Sequence, residues 1–160
     1  MTTSGVLAIL VIQAIIAAIA VPKAIDYFRA QKTKEAYHNL QQIFDLEVLH
    51  FTKMKAHPPL DGQVSFLALP HHPDVPKAQP QSIQFNKGAW TELGFVPDGP
   101  VLYSYSVETQ GSNLLAEFTV RAQGDLDGDG KFSLFEITGR VNSEGRVEGR
   151  DTVFALDPLE

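Results

Sequence analysis

Cysteine is absent from the 160 residues, so no disulfide staples the fold and cysteine usage says nothing of the redox compartment. Charge is absent from residues 1–22. Residues 23–56 carry six basic and four acidic side chains, and the remainder carries seven basic and fifteen acidic, so the C-terminal part stands near −8. That sign opposes nucleic acid and anionic lipid headgroups, and no nucleic-acid partner is expected. Also missing are a nucleophile–base pair, a phosphate-cradling glycine loop and zinc-ligand spacing. Glu92, Glu108 and Glu117 are scattered and unpaired in sequence. Nothing argues for an enzyme. Without staples, the C-terminal domain must fold by burying core, by docking on a helix or by binding metal.

What the first residues do have is apolar surface. Gly5 to Val21 reads GVLAILVIQAIIAAIAV, with Gln13 its only polar side chain. At about 1.5 Å per residue this run covers roughly 25 Å, near the lower limit for a bilayer core of about 30 Å. Ala24 and Ile25 can extend it while Lys23 snorkels to the interface. The reading is a retained membrane-spanning helix over 1–22. A cleaved signal peptide would need a positive n-region, and no Lys or Arg precedes Val6.

From Lys23 to about Met54 the pattern turns amphipathic. Ile25, Phe28, Ala36, Leu40, Ile43, Phe44, Val48 and Phe51 recur at mostly three- and four-residue spacing, and no Gly interrupts residues 23–55. The simplest reading is one helix from about residue 4 to 54, roughly 75 Å long, kinked at Pro22. Its segment 23–55 lays one stripe on a domain. Residues 56–87 hold six prolines between Pro58 and Pro80 and read as a connecting loop with a short apolar interlude at Val64–Leu69. His57, His71 and His72 fall there without a partner at ligand spacing, so a solvated loop is expected.

Residues 88–160 read as a β-domain. Gly88 to Phe95 suggests a helical turn burying Trp90, Leu93 and Phe95, and Asp98-Gly99-Pro100 is a turn. Alternation over Val101–Val107, Leu114–Arg121, Phe135–Val141 and Val147–Leu156 predicts four antiparallel strands in a meander. The expected class is therefore α+β: a long N-terminal helix, hydrophobic then amphipathic, packed on a four-stranded antiparallel β-meander whose dry face the helix covers.

Between the second and third of these strands lies DLDGDGKFSLFE, residues 125–136, which fits D-x-D-x-D-G-x5-E at every fixed position. Asp125, Asp127 and Asp129 would set three hard oxygens around one centre. Gly130 allows the sharp turn, Lys131 offers a backbone carbonyl, Ser133 can hold a water, and Glu136 can close the site bidentately. Three close carboxylates repel one another unless a cation neutralises them, so a calcium ion is the expected cofactor. The flanks are strand-like, which excludes a helix–loop–helix sensor. An Asp-Gly hairpin turn without metal is the competing reading.

The stretch AIIAAIAVPKAIDYF, with Pro22 at the family's helix-kink position, resembles type IV pilins and the pseudopilins of type II secretion. The likeness covers residues 1 to about 55 closely and the remainder in layout. WTELGF and GDLDGDG look like stretches of pilin-like proteins from gliding bacteria. The resemblance implies an inner-membrane subunit that polymerises into a cell-surface or periplasmic helical filament through residues 1–54. Other pilin-like subunits and the inner-membrane assembly machinery would be its partners. Ala14, Ala17, Ala18 and Ala20 would let neighbouring helices approach closely. Gly5 stands where the family has a Glu that pairs with a neighbour's N-terminal amine, which fits a minor, tip-located or divergent subunit. Met1 is expected to be either the mature first residue or an initiator. The alternative is a non-polymerising single-pass anchor presenting a calcium-binding domain.

Overall fold

The computed structural model describes the backbone of residues 3–160, with side chains at Ala18 and from Ala20 onward. One helix, α1, runs Thr3–Ala56 with Pro22 inside it, and Lys53 and Lys55 in its last turn suit the negative end of the helix dipole. The side chains of the apolar run 5–21, expected to span a membrane, lie largely outside the described ones. Among the described residues, no helix is long and apolar enough to cross a membrane.

The stripe on α1 docks from Thr33 onward. Thr33, Ala36, Asn39, Leu40, Ile43, Phe44, Glu47 and Phe51 are buried at three- and four-residue spacing, and Val48 is half-buried. Ile25 and Phe28, expected on the same stripe, are exposed, because the helix has left the domain by that point. Phe44 meets Phe118 at 4.9 Å between ring centroids, and Phe51 stacks on Phe66 at 4.5 Å. Each such aromatic is worth about 3–5 kcal/mol against truncation to Ala. The exposed ion pair from Asp45 to Arg150, at 2.7 and 2.8 Å, adds far less.

The expected four-stranded meander is corrected to a six-stranded antiparallel sheet; the combination of helix and antiparallel sheet is broadly as expected. The strands are β1 Leu69–His72, β2 Ser104–Gln110, β3 Glu117–Gly124, β4 Ser133–Val141, β5 Val147–Glu148 and β6 Val153–Leu156. Their order is β1-β2-β3-β4-β5, with β6 also paired to β4. Two physical reasons account for the extra strands. The apolar interlude buries Val64, Phe66 and Leu69, and the chain entering the sheet edge there pairs Leu69 with Val107 and His72 with Tyr105. Pro70 is tolerated because β1 is an edge strand, and its carbonyl accepts Trp90 Nε1–H at 3.0 Å. At the other end, the single expected strand Val147–Leu156 is broken by Gly149. This residue has φ 114°, and a Cβ there would stand 2.1 Å from the Thr138 carbonyl oxygen. The chain steps off β4 at Gly149 and rejoins it at Val153, opposite Ile137.

The helical turn is α2, Ala89–Leu93, which buries Trp90 and Leu93 beside Phe95. Burial alternates strictly along β3 and β4: Phe118, Val120, Ala122, Phe135 and Ile137 face the core, and their neighbours face out. Residues Val101–Val107 depart from the expected alternation of wet and dry, since all seven are buried. His71 and His72 do polar and packing work rather than standing free in a loop: His71 Nδ1 lies 3.2 Å from Ser104 Oγ, and His72 meets the Phe85 ring edge-on at 4.7 Å.

Candidate metal centre

The β3–β4 hairpin sets the geometry. Its ladder runs to the pair Gly124–Ser133, so residues 125–132 must cross from strand to strand as one loop. Gly130, with φ 87°, takes the left-handed turn that its place in the motif requires. Within the loop, Asp125, Asp127 and Asp129 each offer a carboxylate oxygen, and these oxygens lie within 4.8 Å of one another. That group could hold a metal ion. It is built by short-range bonds that Asp-rich turns favour. Asp125 accepts Gly128 N–H at 2.7 Å and Gly130 N–H at 3.2 Å, and it is itself buried. Asp127 accepts Asp129 N–H at 3.2 Å, and Asp129 accepts Lys131 N–H at 2.8 Å.

Two side-chain cations lean on the group. Lys131 Nζ donates to Asp129 at 2.8 Å, and that hydrogen bond is the main reason the Asp129 carboxyl lies below its ordinary value. Arg29 Nη2 donates to Asp127 Oδ2 at 2.9 Å from α1. Sequence reasoning missed Arg29, because no local pattern links positions 98 residues apart.

Ser133 and Glu136, also expected as ligands, are committed elsewhere. Ser133 is fully buried, and its hydroxyl donates to the Gly124 carbonyl at 3.2 Å across the hairpin. Glu136 sits on the outer face and accepts from Arg121 Nε, its direct cross-strand partner; Arg121 also pairs with Glu108. The reason is periodicity. Side chains alternate along a strand, so Phe135 pointing inward turns Glu136 outward. In a loop that leads into a helix, the twelfth residue can swing back over the ion; here it enters a ladder. The structure thus gathers Asp125, Asp127 and Asp129, and leaves Glu136 out of the group.

Two further carboxylates lie between α1 and the domain, Glu35 half-buried and Glu47 buried. Glu35 accepts Leu102 N–H at 2.9 and 3.1 Å and the Tyr105 hydroxyl at 2.9 Å, while Asn39 donates to that hydroxyl at 2.8 Å. Glu47 is fully buried; Oε2 accepts Leu67 N–H at 2.9 Å, and Oε1 has no partner. Burial, in the main, pushes the Glu47 carboxyl up to about 8, and the negative charge of Glu92 adds to the shift. A signal for Glu47 did exist: it falls on the buried stripe, between Ile43 and Phe51.

These features define a helix-bearing antiparallel β-domain with an acidic hairpin loop. Compared with known proteins, the chain matches no family model, and no curated protein or solved structure matches it significantly.

Proposed function

We propose that the chain is a structural subunit that assembles through its N-terminal helix into a type IV pilus-like or pseudopilus filament. Its Asp125–Asp127–Asp129 loop would hold a calcium ion that steadies the β3–β4 hairpin. One observation carries the reading: α1 is a single element with two environments. From Thr33 to Phe51 it is clamped on the sheet, while Ala20 to Phe28 is exposed and continues the apolar run before it. A helix clamped on its own domain from Thr33 onward and exposed over residues 20–28 suits packing among like helices or in lipid. The resemblance over residues 1 to about 55 supports the same reading. Before assembly the subunit would stand in the inner membrane.

Electron microscopy of surface and periplasmic fractions tests the assembly. Filaments that label with antibody to the domain, and disappear when residues 5–21 are replaced by a polar helix, are expected. A protein that stays membrane-bound with no filament in either fraction supports the non-polymerising anchor instead.

Three hard carboxylate oxygens and a Gly-permitted turn support calcium as the ion of this reading. A dissociation constant of roughly 0.1–1 mM is expected, the range of extracellular modules. At about 1 mM calcium and a constant of 0.1 mM, binding adds roughly 1.4 kcal/mol of stability. Chelator should lower the melting temperature of the purified chain, and calcium should restore it. The double substitution Asp127→Ala with Asp129→Ala should abolish the response, whereas Glu136→Gln should leave most of it. An identical melting curve with chelator and with millimolar calcium would reduce the loop to an ordinary turn.

A further inference from the structure

Residues 65–68 form a strap against the clamped half of α1. On one side Asn113 clips Val64: its Oδ1 accepts Val64 N–H at 3.2 Å, and its own N–H donates to the Val64 carbonyl at 2.7 Å. On the other side Leu69 begins β1. Between these fixed points the chain belongs to no strand, and Leu67 N–H is bonded to Glu47 Oε2 of α1 at 2.9 Å. Phe66 is the strap's buried side chain, with its ring centroid 4.5 Å from that of Phe51 and 4.3 Å from that of Phe118.

Beneath the strap, Glu47 has nothing to balance a charge. Oε1 is buried without a partner, and among the described residues no Lys, Arg or His forms an ion pair with this carboxyl. The strap carries no titratable side chain, and β3 and β4 point Phe118, Val120, Phe135 and Ile137 inward. His50, three residues on along α1, is half-buried; in β1, His71 is engaged with Ser104 and His72 with Phe85. From α2, Glu92 acts on Glu47 as a like charge. An ionised carboxylate closed in such a place is expensive, and water is the remaining source of relief.

We propose that residues 65–68 are a pH-gated strap: ionisation of Glu47 lifts them from α1 and lets water reach the carboxylate, while the Asn113 clip, the sheet and the Glu35 contact stay closed. The strap yields first because lifting it breaks the Leu67 bond and withdraws Phe66, whereas moving β4 would break ladders on both of its sides. The open form uncovers Phe51 and Phe118 and so presents an apolar recess that the closed form lacks. The closed form holds a proton that the hydrated form releases at the ordinary carboxyl value. Opening therefore becomes more favourable as pH rises from about 4.5 to about 8 and levels off beyond.

Hydrogen exchange of the full chain in detergent, against Glu47→Gln at matched pH from about 5.5 to 7.5, tests the strap, because the intrinsic rate of each amide cancels. In the native chain the Leu67 amide should be protected at least roughly tenfold less than the Ile137 amide of β4, as local opening requires. The ratio of native to variant exchange at Leu67 should grow roughly tenfold per pH unit. Equal protection at Leu67 and Ile137 would mean that only whole-domain unfolding frees the strap. A ratio constant across pH would mean that the strap opens without hydrating Glu47. Either result overturns the proposal. Should Glu47→Gln not fold, the native chain decides alone: protection at Leu67 falls with pH if the strap is gated, and protection independent of pH overturns it.

Discussion

Replacing Glu47 by Gln is expected to stabilise the protein at pH 8.5 and to change it little at pH 5. The carboxyl is fully buried, one oxygen has no partner, and its pKa is raised from the ordinary 4.5 to about 8, chiefly by burial. The sign follows from linkage. In this interval the folded chain binds a proton that the unfolded chain has given up, so stability falls as pH rises from about 4.5 to about 8 and is flat beyond. A shift of this size corresponds to a loss on the order of 5 kcal/mol across the window. Gln keeps an acceptor for the Leu67 N–H and cannot ionise. Urea unfolding of both chains in one detergent, at half-unit steps from pH 5 to 8.5, checks this. The difference between variant and native stability should grow with pH, and parallel curves would mean that Glu47 does not titrate in the folded chain.

Glu35→Ala should cost about 3 kcal/mol, because it strands the Leu102 N–H and removes the acceptor of the Tyr105 hydroxyl in the interior. Burial is the main reason the Glu35 carboxyl stands above its ordinary value, yet it is still the acceptor on which two elements meet. Glu35→Gln, with one acceptor oxygen left, should lose about half as much. The measurement is the denaturation midpoint at pH 7. The Ala variant should also expose Trp90 fluorescence earlier in the transition, since Tyr105 packs in the aromatic group with Phe85 and Phe95 that holds Trp90. A midpoint unchanged in Glu35→Ala would show that water replaces the carboxylate without penalty.

Much of this arrangement was legible in the residues, and the exceptions have physical causes. The clamped half of α1 could be read because Ala36, Leu40, Ile43, Phe44 and Phe51 keep helical spacing, and β3 and β4 because apolar and polar side chains alternate along them. The reading failed at β1, where Leu-Pro-His-His carries no strand pattern and pairs only because a sheet edge was free beside it. It failed again at β5 and β6, where the apolar run conceals the step at Gly149. In the acidic loop the three Asp residues were visible because their bonds are local, two to five residues apart. For Glu136 the residues gave two signals, the motif's twelfth position and the alternation with Phe135 and Ile137, and it is the alternation that matches its outward place on β4. Arg29 left no trace, being brought in by tertiary packing alone.

The separation between partners has a consequence for synthesis. Arg29 waits 98 residues for Asp127, and Asp45 waits 105 for Arg150. The aromatic ridge of α1 therefore leaves the ribosome long before Phe118 and Phe135 exist to cover it. At about 5–20 residues per second the delay is roughly 5–20 s, whereas a helix forms in about a microsecond. During that interval the nascent chain holds a finished helix with a bare apolar ridge. Its closing partners come last, in strands whose pairing is slowed by loop closure over long separations. The vulnerable species in the life of this chain is thus the unfinished one, and mistranslation or truncation beyond β2 should leave a product that proteases and chaperones recognise by that ridge.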